Sequence, residues 1–404
     1  FWSANVDDNW DLFGKFRTGD DWSESVRITS AAGSDFNAAA ATDSEGRVWL
    51  AWQSLRQGNS DVYVARQQGE AFGKPAPVAA GKANEWSPAL AAASDGRVAV
   101  AWDSYENGHY DVFTSTWKGG KWSDARPIAR STANEARPSL AFDREGRLWI
   151  AYEISPEGWG KDFGPYDQSP KRMPLYRNRR VGLRVLEGEA LMAPESDVNR
   201  AMPMPTGAPR WPKSGDAVLA AGPKLAVDAA GRLWLAARIR VNQFDSSVGG
   251  TWLTFLTTPG AEAWQPAAMV PESDGFLHES SALGPAQGSG LHLVSAPDGR
   301  FRSAAVFGPV AGKGRKRGKG LPRATTRTRA VYPDNQFNKE IAVADTGPMP
   351  APTGVNLVAV EPETSGGEAN EAARRETTDV AAIRAYRAEI GGESLGIVRG
   401  EFHR

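Results

Sequence analysis

Charged and aromatic residues recur at matching positions along this chain. Asp35, Glu85, Glu135 and His278 superpose at one position, just ahead of a short run of small apolar residues. Trp86 and Glu279 take the next position. Asp103, Glu153 and Arg238 superpose at another, each closing a run in which large and small apolar residues alternate. Carboxylates, guanidinium groups and indole rings on one rim suit a polar ligand such as a carbohydrate, because charged groups bond hydroxyls while rings stack on apolar faces. Two roles stay open for the repeated acids: ligand binding, or hydrogen bonding to the backbone of a neighbouring repeat. Two carboxylates flanking a scissile bond would also allow glycoside hydrolysis.

The elements that position these groups follow from a period. Gly46, Gly96 and Gly146 are 50 residues apart, as are Trp52, Trp102 and Tyr152, and Asp11, Asp61 and Asp111. Within one period, Asn84–Arg130, four extended runs are separated by short turns, and no segment has the helical period. Four antiparallel strands per repeat of this length describe a β-propeller blade. The turn D-x-x-G-R-[VL]-W, at Asp43–Trp49, Asp143–Trp149 and Asp228–Trp234, should join the first two strands of a blade. In the second copy Ala93 replaces the Asp and Ala99 the Trp.

The pattern predicts an all-β chain: a six-bladed propeller over residues 1–361, closed by strands from both termini. Glu340–Asp345 and Val355–Val360 are expected to complete the half-blade of residues 1–30, with Val355–Val360 pairing beside Asp11–Phe13. Residues 362–404 read as a linker, a short helix at Asp379–Ile390 and the first strand of a further domain.

An insertion, Ile154–Arg180, interrupts the fourth repeat and should open on the same face as the repeated acids. Its Trp159, Lys161 and Asp162 join Glu85, Trp86, Asp103, Glu135, Arg137, Glu153, Arg238, His278 and Glu279 as candidate ligand-binding residues. His109 is expected to be solvated. A second insertion, Gly308–Arg323, is rich in Gly and basic residues and reads as a solvated hairpin loop.

Composition narrows the classes. The 404 residues carry a net charge of −1, so no nucleic-acid partner is expected. Cysteine is absent, which removes disulfides and thiol metal sites. No apolar run is long enough to span a membrane. No metal motif is complete in the repeats, and no cofactor is expected there.

The ending IVRGEFHR, with the GRLW repeats and the WGKDFG insertion, resembles a bacterial family of unknown function. That family joins a propeller-like N-terminal region to a PHP-like (polymerase and histidinol phosphatase type) hydrolase. The resemblance implies a non-catalytic binding region in cis with a metal-dependent hydrolase. It implies a divalent metal such as Zn, Mn or Fe in that downstream domain only, with His403 as its first metal-binding histidine. Export to the periplasm or medium is the expected localisation. The alternatives are a sialidase-like or other glycoside hydrolase or lyase, and a protein-interaction scaffold. The turn departs from the sialidase box S-x-D-x-G-x-x-W, because Asp and Gly are one residue further apart in three repeats.

Overall fold

The computed structural model describes residues 1–106, 108–156, 179–202, 220–228, 231–242, 250–269, 275–276, 291–295, 301–309, 324–330, 339–345, 353–363 and 376–396. Nearly all of the ordered elements are antiparallel strands. Sheet one holds Trp2–Val6, Asn9–Gly14 and Val26–Arg27. Sheet two runs Asp35–Thr42, Val48–Ser54, Asp61–Gln68 and Ala76–Ala79 in spatial order. Sheet three repeats it with Asn84–Ala92, Val98–Glu106 and His109–Lys118, whose outer side takes both Lys121–Trp122 and Arg126–Ala129. Sheet four is Asn134–Phe142, Leu148–Ser155, Arg180–Glu187 and Ala190–Pro194. Sheet five begins Ala220–Val227, Leu233–Asn242 and Gly250–Thr257. Sheet six contains Leu291–Ser295, Phe301–Pro309, Lys339–Asp345 and Ala324–Ala330 in that spatial order.

Successive sheets stack face to face. Leu12, Leu50, Trp52 and Tyr63 fill the layer between sheets one and two. Ala51, Val62, Val64, Val100 and Trp102 fill the next. Larger clusters follow between sheets three and four and between sheets four and five. Each buried Val, Leu or Trp contributes roughly 1.5–3 kcal/mol through the apolar surface it removes from water. The first strands of sheets two to five pack on one another in chain order, and the last of them meets Leu291–Ser295. Small residues such as Ala39, Ala89 and Ser139 permit that close approach.

The D-x-x-G-R turn closes each first hairpin through its aspartate. Asp43 Oδ1 accepts from the Glu45 and Arg47 amides at 3.0 Å, and Oδ2 from Arg47 Nε at 3.0 Å and Trp49 Nε1 at 2.9 Å. Asp143 and Asp228 hold Arg147, Trp149, Arg232 and Trp234 in the same way. The turn glycines Gly46, Gly96, Gly146 and Gly231 have φ of 77, 86, 75 and 79°, a region costly for any side chain. Where Ala93 replaces the aspartate, Asp95 takes over Arg97.

Three expectations are corrected. Among the described residues, Lys339–Asp345 and Leu357–Ala359 do not share a sheet with the N-terminal strands. Lys339–Asp345 lies inside sheet six, between Phe301–Pro309 and Ala324–Ala330. Leu357–Ala359 pairs with Ala190–Pro194 as a fifth strand on sheet four, with Met192 opposite Ala359. Val355 and Leu357 thereby reach the core between sheets four and five, and an open sheet edge is covered. Among the described residues no hydrogen-bonded pairing joins sheet one to sheet six. The helix spans Glu376–Ala385 rather than Asp379–Ile390. Arg387–Ile390 instead pairs with Glu393–Gly396 across Gly391 and Gly392, whose φ of 63 and 88° favour a tight hairpin turn. His109 is buried, not solvated, with Nδ1 at 3.2 Å from Asp111 Oδ1. No helix of the described residues is long and apolar enough to cross a membrane.

Candidate functional site: a charged rim built on strand bulges

Each first strand of sheets two to five shifts register near its start: between Phe36 and Ala39, Trp86 and Ala89, Ala136 and Ser139, and Ala221 and Lys224. The bulged residue is left-handed in every case. Asn37, Ser87, Arg137 and Gly222 have φ of 55, 51, 55 and 59°. This costs energy for three of them, so the surroundings must hold it. They do so at the end of the sheets opposite the D-x-x-G-R turns, because Trp86 pairs with Asp103 and Ala136 with Glu153, whereas Ala92 pairs with Val98.

The side chain ending each second strand fastens two bulges together. Gln53 Oε1 accepts from Asn37 Nδ2 of its own sheet at 2.5 Å and from the Ser87 amide of the next at 3.2 Å. Asp103 accepts from the Ser87 side chain of its own sheet and from the Arg137 amide of the next, at 3.1 Å to Oδ1. Glu153 Oε2 takes Arg137 NH1 at 2.7 Å, and its Oε1 takes the Gly222 amide at 2.5 Å. Asp103 and Glu153 therefore bond the backbone of the next sheet. At the next step the repeat breaks, because Arg238, a donor, stands where Gln53, Asp103 and Glu153 are acceptors.

Cations collect at that break. Arg179 NH1 lies 3.5 Å from Glu153 Oε2, and Lys224 and Arg238 are both within the field of Glu153 and Arg137. Burial lowers the Lys224 ammonium, and it pushes Arg238 down to about 10. Lys224 nevertheless presents exposed surface. Burial would raise Glu153, but Arg137 and Arg179 outweigh it and hold the carboxyl below its ordinary value. Burial dominates at Asp103 and pushes it up to about 6 against the pull of Arg137. The neighbouring wall is aromatic. Trp86, 39% exposed, meets Tyr110 edge-on at 6.4 Å, Tyr105 lies 4.8 Å from Tyr110, and the Tyr110 hydroxyl is felt by Arg137.

Of the residues expected at the site, Trp86, Asp103, Arg137, Glu153 and Arg238 lie on this rim. Glu85 and Glu135 share the end but face the seams between sheets. Glu135 accepts from the Ser131 hydroxyl, and Glu85 faces Asp61. Trp159, Lys161, Asp162, His278, Glu279 and His403 lie outside the described residues, as does most of the Ile154–Arg180 insertion. Sequence reasoning missed Arg179 and Lys224. The signal was present for Lys224, which stands where the other first strands carry Ala39, Ala89 and Ser139. Arg179 takes the place of Ser60 and Tyr110, next to the insertion that hid the alignment.

No family model matches the chain, and no curated protein matches it. Solved structures overlap it weakly. A protein of unknown function from Dyadobacter fermentans shares 11% identity over 84% of this chain and 86% of its own, with a TM-score of 0.46. A polysaccharide lyase of family PL25, an ulvan lyase, shares 12% over 70% of this chain and 64% of its own, TM-score 0.43. Bacillus subtilis levansucrase shares 10% over 85% and 90%, TM-score 0.42. Likeness at this level carries no argument about ligand or reaction.

Proposed function

We propose that the stacked sheets are blades of a β-propeller, with residues 1–361 as its unit, and that the charged rim binds an anionic carbohydrate. The observation that carries the ligand reading is the gathering of cations where the repeat breaks. Four cations, Arg137, Arg179, Lys224 and Arg238, gather about two acids, Asp103 and Glu153. Burial opposes the charge on Lys224 and Arg238. A carboxylate or sulfate on a ligand would offset that cost. Trp86 and Tyr110 beside the cations offer a face on which a sugar ring stacks. A uronic acid unit combines both features.

In this reading the chain is a binding module, and the accessory role in cis to a PHP-like hydrolase remains the wider setting. That setting rests on the sequence around His403, and the ligand chemistry does not depend on it. Catalysis is a second reading, favoured by one observation. Asp103 and Glu153 bracket Arg137 with their proton affinities pushed in opposite directions, as an acid and a base would need. Both carboxylates are already occupied by backbone amides, which favours binding.

The test is calorimetric titration of the chain with oligogalacturonate and with a neutral cello-oligosaccharide of equal length. Binding should be confined to the acidic ligand, weaken with salt and fall at least tenfold in Lys224→Ala. Equal affinity for both ligands, or none for either, would remove the proposal. Release of shortened or unsaturated products, lost in Asp103→Asn, would establish the catalytic reading instead.

A further inference from the structure

Sheets two and three carry an aromatic pair where their second and third strands meet. Trp52 stands opposite Tyr63 and stacks on it at 6.4 Å, and Trp102 stands opposite Phe113 and stacks on it at 6.2 Å. In sheet two Arg56 completes the packing. Its guanidinium lies 4.7 Å from the Tyr63 ring centroid, and its NH2 is 2.7 Å from Asp35 Oδ2. Sheet four keeps only half of this arrangement. Glu135 stands two periods of 50 residues after Asp35, and Tyr152 two periods after Trp52. The residue opposite Tyr152, however, is Gly182, and Pro156 stands two periods after Arg56. The Tyr152 ring leans towards Gly182, where a Cβ would collide with it.

Where the second ring and the guanidinium are missing, a cavity of about 500 Å³ opens, a size that suits a small molecule. Its buried wall includes Glu135 and Tyr152, 2% and 1% exposed. Glu195, Asp197 and Glu363 also line it and are exposed, so it runs from the surface to the buried acid. The Tyr152 hydroxyl makes no hydrogen bond among the described residues. In a buried setting that is a cost, which a ligand N–H would remove. Ser131 gives Glu135 its hydroxyl and, at 3.4 Å, its amide, which leaves the carboxylate lone pairs for a further donor. Burial raises the Glu135 carboxyl, and Asp111 and Glu363 add to this against the pull of Ser131. Arg180 and Arg184 line the cavity too, but Arg184 is drawn to Glu363 at 3.5 Å. Among the described lining residues, four carboxylates stand against two guanidinium groups.

We propose that this cavity binds a small organic cation, an amidinium, guanidinium or amine on a planar apolar body, with its charge on Glu135 and an N–H on the Tyr152 hydroxyl. The ligand thereby supplies from outside what Arg56 and Tyr63 supply within the chain in sheet two. Ile154 and Pro194 offer apolar wall for its body. The cavity shares no lining residue with the charged rim, so neither site depends on the other.

The probe is benzamidine, which joins a ring to an amidinium, titrated calorimetrically into the full chain. Neutral benzamide and anionic benzoate, of nearly the same shape, are the controls. One benzamidine site is expected, with both controls weaker by about tenfold or more, the loss of one charge-assisted bond. Glu135→Gln, which keeps an acceptor for Ser131, should lose benzamidine by the same factor, and Tyr152→Phe by a smaller one. Pro156→Arg restores the residue that sheet two carries, so it should block benzamidine and raise the melting temperature. Far-UV circular dichroism checks that the variants fold, and if Glu135→Gln does not, Pro156→Arg carries the test. Equal affinity for benzamide would mean that the cavity reads shape alone, and preference for benzoate would give it to Arg180 and Arg184. Either result, or no binding of benzamidine, overturns the proposal. So does benzamidine binding that survives both Glu135→Gln and Pro156→Arg, which would place the cation elsewhere.

Discussion

Glu153 accepts the Gly222 amide across 69 residues of chain, at 2.5 Å, while its other oxygen holds Arg137 at 2.7 Å. One carboxylate thereby joins sheet four to sheet five and orders two left-handed bulges. Its removal strands several partners at once. Arg137 and Arg179 each lose an ion-pair partner in a buried setting, and the Gly222 amide loses its acceptor. Glu153→Ala should cost about 3–5 kcal/mol of unfolding free energy, the range for breaking a buried ion pair from one side. Glu153→Gln, which keeps an acceptor, should cost less. Urea denaturation of both variants checks the order, and an unchanged Glu153→Ala would show that the contact contributes little.

The acids on this face give the fold a pH dependence of mixed sign. Glu85 has its folded pKa raised, from 4.5 to about 8. Its contribution is full below about pH 4.5 and is lost as pH rises through about 8. Asp103 acts with the same sign over a lower window, from 3.8 to about 6. Glu153 is opposite: its folded pKa is lowered, so its contribution is present above the ordinary glutamate value and is lost as pH falls through the folded one. Wild type should lose stability between about pH 5 and 8, with a slope approaching 1.4 kcal/mol per unit for the Glu85 proton. Glu85→Gln should flatten that slope. Parallel curves for the two proteins would count against the buried pair.

The period, the strand count per repeat and the turn were legible because the same demand recurs at each step. Every D-x-x-G-R-[VL]-W needs an aspartate to take two N–H groups and a glycine with positive φ, so the letters repeat with the geometry. Strand partnership was not legible in the same way. Glu340–Asp345 looks like a first strand because it is short, small and apolar, but that composition suits an interior strand of any sheet. Nothing local in Leu357–Ala359 names the Ala190–Pro194 edge as its partner. At the rim, Gln53, Asp103 and Glu153 differ in type but all accept from the amide of the next bulge. At the positions where the repeat departs, Lys224 stands in place of Ala39, Ala89 and Ser139, and Arg238 in place of Gln53, Asp103 and Glu153.

The corrected pairing has its own consequence. Leu357–Ala359 covers the outer edge of sheet four, and Val360 donates its amide to the Leu191 carbonyl at 2.9 Å. Removing residues 353–363 would expose the N–H and C=O groups of Ala190–Pro194, together with apolar surface under Val355 and Leu357. Such an open edge templates association with other chains. Size-exclusion chromatography should show oligomers or aggregates for the deletion and not for a chain ended at residue 375. A monomeric deletion that melts like wild type would mean the added strand is dispensable.

Trp86 gives the sharpest separation between packing and binding. Its ring is 39% exposed and makes an edge contact with Tyr110 at 6.4 Å, so folding buries only part of it. It stands one residue before the left-handed Ser87, whose bonds to Gln53 and Asp103 fix the direction of the strand start. The indole is thus aimed by its neighbours and not by its own burial. Trp86→Ala should therefore leave the melting temperature within a few degrees of wild type. Loss of a stacking ring should weaken binding of oligogalacturonate by about 1–3 kcal/mol, a factor of roughly 5 to 150 in the dissociation constant. Trp86→Phe should recover part of that loss, because the stacking face is kept. A variant that binds normally but melts much lower would show that the indole serves packing, and the ligand would then have to rest on the cations alone.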